Sequence, residues 1–379
     1  MINLSPARGY FPFRSACLGM AAVRDVLWIG QNYQKNNLNA ETLSSQSLEK
    51  KMRMGRFFIV GGAGFIGSHF TDVLLALDGV QSVTIYDNLT SGREWHFAKH
   101  LGNSKFKFVK GDVKEIEALK RAMDGSEVVI HLASNPDIAR AATEPDIDFR
   151  EGTYLTERVL EAMRLTSAKR ILYASGSGVY GDLGMVEAGE DYGPLVPIST
   201  YGASKLAGEV LISSYCHMFD MTACVFRFGN VVGPRQTHGV GFDFVRSLRQ
   251  APGRLKILGD GGQSKSYIYV EDVIAAVLTA HEKTTQKFQS YNVATGDYIT
   301  VKEIAELAVE CVGLDPSKVK FEFAGGDRGW KGDVAVVRLN TDRIRGLGWK
   351  NKRNSREALR ESMNALIRDA ELLYARQKA

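Results

Sequence analysis

Tyr201 and Lys205 stand four residues apart in the stretch "STYGASKLAGEVLISSYCHMF". On a helix, positions i and i+4 share a face, so a phenol and an ammonium group would project together. Free tyrosine ionises near pH ~10 and is a poor base at neutrality. A lysine cation one turn away, with a second cation before the ring, favours the phenolate. Lowering that pKa by ~3 units takes about 4 kcal/mol, which two close cations in a desolvated cleft can supply. Such a phenolate takes the proton of a substrate hydroxyl as hydride leaves the same carbon. A lone Tyr-x-x-x-Lys pair is also common on solvated helix faces. The reading therefore depends on what else the chain carries.

The second element is "VGGAGFIGSHF", in which Gly61, Gly64 and Gly67 give G-x-x-G-x-x-G between an apolar run and a helical pattern. Glycines let the backbone turn tightly and approach a diphosphate, and a helix N-terminus supplies N–H donors and positive dipole. Asp87 follows at the end of the next apolar run, about 20 residues on. A carboxylate there accepts from a ribose diol and repels a 2′-phosphate, which favours NAD over NADP. Arg93 stands close enough to weaken that preference. Asp112, after "KFKFVKG", either caps a helix or contacts adenine. Without the strand, the helix and the acid, the glycines alone would mean only a tight turn.

The third is "ILYASGSGVYGD", where Ser175 and Ser177 flank Gly176. Either serine could share a hydrogen bond with a developing carbonyl beside Tyr201. Equally, both could end a strand with side-chain-to-backbone bonds.

The elements that must position these groups are readable from periodicity. "RFFIV", "SVTIYD", "KFKFVKGD", "EVVIHLA" and "KRILYAS" are strand-like, and "SHFTDVLLALDG", "EIEALKRAMDG" and "FREGTYLTERVLEAMRL" have helical spacing. Alternating strands and helices imply parallel pairing through right-handed crossovers, hence an α/β, doubly wound Rossmann sheet. Ligands of such sheets lie beyond the carboxyl ends of the strands, where the glycine loop and the strand end before Val179-Tyr180-Gly181 both fall. Later segments, "EDVIAAVLTAHEK", "TVKEIAELAVECVG" and "SREALRESMNALIRDAELLYARQ", are amphipathic by spacing.

Of 379 residues, 44% are hydrophobic and 24% charged, an ordinary globular balance. Net charge is +5, with basic and acidic residues interleaved, so no nucleic-acid stripe is expected. Cys17, Cys216, Cys224 and Cys311 are scattered, without metal-like spacing; free thiols in a reducing cytoplasm are expected, and no metal. No apolar run approaches the ~20 residues of a membrane helix. Residues 1–53 are polar and weakly periodic and read as a disordered extension, or as the product of too early a start codon.

Over residues 56–350 the chain resembles the extended short-chain dehydrogenase/reductases, in particular the nucleotide-sugar epimerase/dehydratase group. The motifs are, in order, "GGAGFIG", "YDNLTSG", "GDV", "HLAS", "GVYGD", "YGASK", "FRFGNVVGPRQ", "LGDGGQSKSYIYVEDV" and "GDRGWKGDV". The resemblance implies oxidation of a sugar nucleotide by tightly held NAD, transformation of the keto sugar, and usually reduction again. It implies cofactor contacts from Gly61, Gly64, Phe65, Ile66, Gly67, Asp87, Asn88, Asp112, Val113, Tyr201 and Lys205. It implies catalysis by Tyr201 and Lys205 with a serine, and substrate contacts from Asn230, Lys265 and Asp333. It also implies an NAD-binding domain over 54–230, a nucleotide-sugar lobe over 231–379 whose chain crosses back to the sheet, and a homodimer through helices near 148–165 and 201–219.

The departures from the family pattern are specific. The usual catalytic Ser or Thr position is Gly176, so Ser175 or Ser177 is expected to take over, Ser175 being preferred. Gly152 stands where Asn is usual, Lys265 where Arg binds diphosphate, and Trp330 where many members have Arg. The Thr-Asp-Glu of 4,6-dehydratases and the Glu of uronic-acid decarboxylases are missing from Gly176-Ser177-Gly178. That absence favours a 4-epimerase. A dehydratase or decarboxylase using other residues, or an NAD-binding regulator without turnover, are the alternatives.

Overall fold

In a computed structural model of the chain, residues 55–377 are described, with side chains through 369. The expectation of a disordered 1–53 extension lies outside these residues.

Seven parallel strands form the central sheet. They are β1 (Gly55–Val60), β2 (Val80–Asp87), β3 (Phe106–Lys110), β4 (Val128–His131), β5 (Arg170–Gly176), β6 (Thr222–Phe228) and a late strand, Phe288–Val293. Their order is late strand-β6-β5-β4-β1-β2-β3, the doubly wound order with one strand added at the edge. The reversal falls between β1 and β4, so the cleft opens above that pair. Both faces of the sheet are covered, which is why Phe57, Phe58, Ile59 and Val60 read as a continuous apolar run and are all 0% exposed. Burying each such side chain is worth about 1.5–3 kcal/mol.

One face packs on α1 (Phe65–Leu75) and on a helix from the C-terminal half, Val270–Lys283. Phe70, Leu74, Val273, Ile274 and Val277 share its core with Phe57 and Ile59. The other face packs on α2 (Ile116–Met123), α3 (Tyr154–Arg164) and α4 (Thr200–Met218), through Leu119, Met123, Val159, Met163, Ile212 and Cys216 against Phe58, Val60 and Tyr173.

The predicted helix over 149–165 begins differently. Residues Phe149–Thr153 form a wide π turn before α3 starts at Tyr154. A Cβ at Gly152 would displace the Ser204 hydroxyl on α4, which bonds the Asp148 carbonyl, so glycine keeps that contact intact. Such widened turns frequently sit at functional sites.

After β6 the chain builds a smaller cluster. It contains β7 (Asn230–Val232), α5 (Val240–Gln250), β8 (Arg254–Ile257), β9 (Ser264–Lys265) and β10 (Tyr267–Tyr269). The chain then returns through α6 (Val270–Lys283) and β11 (Phe288–Val293), the helix and edge strand already met. It goes out again through β12 (Ile299–Thr300), α7 (Val301–Val312), β13 (Lys320–Phe323), α8 (Asp342–Gly346) and α9 (Ser355–Gln377). Strand pairs β7·β10, β9·β12 and β8·β13 organise a third core around Phe244, Leu248, Ile257, Tyr267, Leu307 and Leu359.

Candidate active site

The loop after β1 is built by exclusion. Gly61 sits at φ +80°, and a Cβ there would stand 2.8 Å from the backbone N of Ala133, after β4. A Cβ at Gly67 would meet the Gly61 carbonyl at 2.6 Å and Gly62 Cα at 2.7 Å. The obstacles are backbone, which cannot swing away, so both positions require glycine. Gly64 caps α1 without any side-chain hydrogen bond, which leaves the first-turn N–H groups of Phe65, Ile66 and Gly67 for an incoming anion. Phe65 and Ile66 pack partly buried on the core of that face.

Asp87, 9% exposed, accepts from the Ala63 N–H at 3.0 Å and the Leu89 N–H at 2.8 Å. Burial raises its pKa, and those two donors oppose the rise. Its carboxylate thus braces the glycine loop from the end of β2 and keeps lone pairs for a diol. Asp112 does not cap α2, whose N-cap is Glu115; it accepts from the Lys114 N–H at 2.9 Å in the turn ahead of the helix. It also accepts from Asn88 Nδ2 at 3.3 Å. Val113 is 7% exposed, in the core beside α2.

On the other side of the cleft, Ser199 caps α4 by accepting from the Gly202 N–H at 3.1 Å. The helix then presents Tyr201 and Lys205 on one face, with the Lys205 ammonium 5.5 Å from the Tyr201 ring centre. The ammonium donates to the Ala174 carbonyl of β5 at 2.8 Å. Gly202 lets the helix start lie against the turn after β5: a Cβ there would stand 2.5 Å from the Gly178 carbonyl.

The electrostatics differ from the simple expectation. Burial pushes the Tyr201 phenol up to about 12, opposed by the neighbouring Ser134 hydroxyl. Burial also brings Lys205 down to about 8. Desolvation therefore dominates, and the resting tyrosine is neutral. The extra positive charge must come with what binds beside it.

Of the two serines, Ser175 is 4% exposed and its hydroxyl donates to Glu209 Oε1 at 2.5 Å. Glu209 lies about two turns further along α4 than Tyr201, and its carboxylate is clasped by Arg227 at 2.7 Å. Ser177 is half-buried and opens the short turn Ser177–Tyr180, over a crevice lined by Val336 and Leu339. A Cβ at Gly176 would meet nothing within 4 Å. The side chain that does reach Tyr201 is Ser134, at the end of β4. It lies inside the "HLAS" motif, but nothing local in the sequence marks it.

The substrate-side expectations gather separately. Lys265 bonds Asp333 at 2.6 Å, and the other Asp333 oxygen accepts from the Gly329 N–H at 3.1 Å. Asn230 opens β7 and pairs in register with Tyr267, whose phenol is raised by burial and by the nearby Asp333 charge. The loop is anchored towards the catalytic helix. Arg328 bonds Asp182 at 2.5 Å, and a Cβ at Gly332 would meet the Ile198 carbonyl at 3.3 Å and Ser199 Cβ at 3.3 Å. Trp330 lies partly exposed beside Gly332.

The model of the NAD dependent epimerase/dehydratase family matches residues 57–294. The chain belongs to this family. Among relatives, it is 34% identical over 301 residues to the UDP-glucose 4-epimerase of Mycolicibacterium smegmatis, covering 78% of this chain and 93% of that one. Its structure matches that of a UDP-galactose 4-epimerase with TM-score 0.73 and 35% identity, over 83% of this chain and 99% of the other. It also matches MoeE5, solved in complex with UDP-glucuronic acid and NAD, with TM-score 0.73 and 26% identity, over 83% of this chain and 100% of the other.

The cofactor of this epimerase/dehydratase family member is NAD, and the fitted glycines suit it. The close backbone packing at Gly61 and Gly67 holds the turn in place, and the first-turn N–H groups of α1, uncapped by any side chain, suit a diphosphate. Among the described residues no cluster of side chains suits a metal ion, and no helix is long and apolar enough to cross a membrane.

Proposed function

We propose that the protein is a nucleotide-sugar 4-epimerase in which Tyr201 is the base. The observation that carries this reading is the bare strand end. Gly176-Ser177-Gly178 offers no carboxylate beside Tyr201 and Lys205, so elimination of water or loss of CO₂ has no acid-base partner there. NAD held by the glycine loop would supply reversible hydride acceptance.

Gly61, Gly64, Phe65, Ile66 and Gly67 hold the diphosphate, and Asp87, Asn88, Asp112 and Val113 frame the adenosine end. Lys205 orients the ribose and its charge stabilises the phenolate. Tyr201 takes the proton of the C4 hydroxyl as C4 gives up hydride, and returns it when hydride re-enters on the opposite face. Ser177 polarises the sugar oxygen. Lys265 holds the sugar's diphosphate as a point charge, and Asn230 and Asp333 fix the nucleotide. The substrate cleft lies between the 54–230 and 231–379 parts of the chain.

Phe149, Tyr154, Val210 and Met218 are exposed around the α3 and α4 pair, which supports a homodimer through those helices. Free Cys216, Cys224 and Cys311 support a cytoplasmic setting.

The test is to offer UDP-, GDP-, dTDP- and CDP-hexoses to the protein purified without added cofactor, and to follow products by NMR in D₂O. A C4 epimer that keeps its carbon-bound proton is expected. Solvent deuterium in the product, or loss of water or CO₂, would instead establish a dehydratase or decarboxylase. Inertness to every sugar nucleotide would leave a binding protein.

A further inference from the structure

Asp148 is a carboxylate with no place in the proposed reaction, yet it is 1% exposed and lies beside the catalytic helix. Its oxygens accept from Asn135 Nδ2 at 2.8 Å and from the Thr200 hydroxyl at 2.7 Å. Its backbone carbonyl accepts from the Ser204 hydroxyl at 2.7 Å. Thr200 precedes Tyr201, Ser204 precedes Lys205, and Asn135 follows Ser134, which faces the phenol. One buried residue therefore ties the segment after β4 to the first turn of α4.

We propose that Asp148 is a positioning residue whose brace sets Tyr201 and Lys205 in place and whose negative charge tunes the pair. This rests on the reading of Tyr201 as base. Both carboxylate oxygens bond neutral donors, and a buried anion without a bonded cation is costly. An asparagine would keep the shape without that cost, accepting from one neighbour through its single oxygen while the Thr200 hydroxyl turns to accept from its amide.

Two carboxylates act on Lys205, Asp148 first and Glu209 second, and Asp148 is the one that also acts on Tyr201. Glu209 on α4 is ion-paired with Arg227 of β6 at 2.7 Å. His131 of β4, its pKa lowered to about 3 by burial, is neutral, as is Tyr173 of β5. The Asp148 charge opposes the fall of Lys205 and adds to the rise of Tyr201. It keeps the lysine protonated and the tyrosine in hand until the cofactor's charge arrives.

Asp148→Asn keeps the shape and removes the charge, since the Thr200 hydroxyl can turn to accept. Both pKa values should fall, so both limbs of the kcat/KM pH profile should move to lower pH by about half a unit or more. In the substrate-free protein, the ¹³C-tyrosine NMR signal that disappears in Tyr201→Phe should titrate at lower pH by a similar amount. A fall in kcat with the profile and the tyrosine titration unmoved would overturn the electrostatic role.

Thr200→Val, which removes one strut and leaves the charge, covers the case in which Asp148→Asn does not fold. We expect kcat to drop about fivefold or more with KM nearly unchanged and the pH profile in place. Unchanged turnover would overturn the brace. If instead Tyr201→Phe turns over normally while the Tyr201 signal still shifts between wild type and Asp148→Asn as described, the assignment of the base is wrong and the coupling survives.

Discussion

The two ends of the cleft are made differently. The cofactor end is mostly backbone: glycines excluded from bearing a Cβ by other main chain, bare N–H groups, and a carboxylate that grips the loop from the next strand. The substrate end is mostly side chain: Lys265 on Asp333, Arg328 on Asp182, and a loop with Gly325, Gly326 and Gly332 at positive φ. A backbone site has one shape and admits one kind of ligand. A side-chain site can be rebuilt by single substitutions, which suits a fold that serves many sugars.

The largest expected effect breaks the cofactor end. Gly67→Val places a branched side chain against the Gly61 carbonyl and Gly62, so co-purifying NAD should fall at least ~100-fold, measured by releasing and counting the dinucleotide. Retention of stoichiometric NAD would mean that the loop is not the cradle.

Acid should weaken the same end next. Burial lowers His69 to about 3 and His96 to about 4; His96 lies against the glycine loop and His69 is on α1. His96 meets the Ala63 carbonyl at 2.7 Å and His69 meets the Pro234 carbonyl at 3.0 Å. His131 is lowered to about 3 and His281 to about 4, also by burial. The unfolded chain binds protons at these sites first, so stability present above pH ~6.5 is lost as pH falls towards 4. The slope reaches about 1.4 kcal/mol per pH unit for each histidine. Urea midpoints measured from pH 7 to pH 5 should drop accordingly, and a flat profile would contradict neutral burial.

A smaller change should mark the substrate end. Lys265→Met removes the cation held at 2.6 Å from Asp333, and KM for the sugar nucleotide should rise about tenfold, near 1.4 kcal/mol, with kcat changed less. Equal losses in kcat would place Lys265 in the chemistry rather than in binding.

This contrast also explains what could be read from the chain. Gly61, Gly64, Gly67 and Asp87 are legible because their meaning is local: strand, turn, helix, then a carboxylate at the next strand end. Tyr201 and Lys205 are legible because one helix face joins them. The sheet follows from the alternation of periods. The hydrogen bond of Ser175 is not legible, because its partner, Glu209, lies 34 residues away on another element. Likewise Asp148 meets Thr200 across 52 residues, and Lys265 meets Asp333 across 68. No spacing rule links such pairs. The raised phenol was missed for a related reason: desolvation is a property of the packed site and has no signature in a motif.

The central claim is that Tyr201 moves the proton. Tyr201→Phe should be purified, its bound NAD counted, and its turnover of the sugar nucleotide accepted by the wild type measured by NMR. Cofactor content within about twofold of wild type, with turnover lowered at least ~1,000-fold, is the predicted result. Undiminished turnover with the dinucleotide still in place would contradict it.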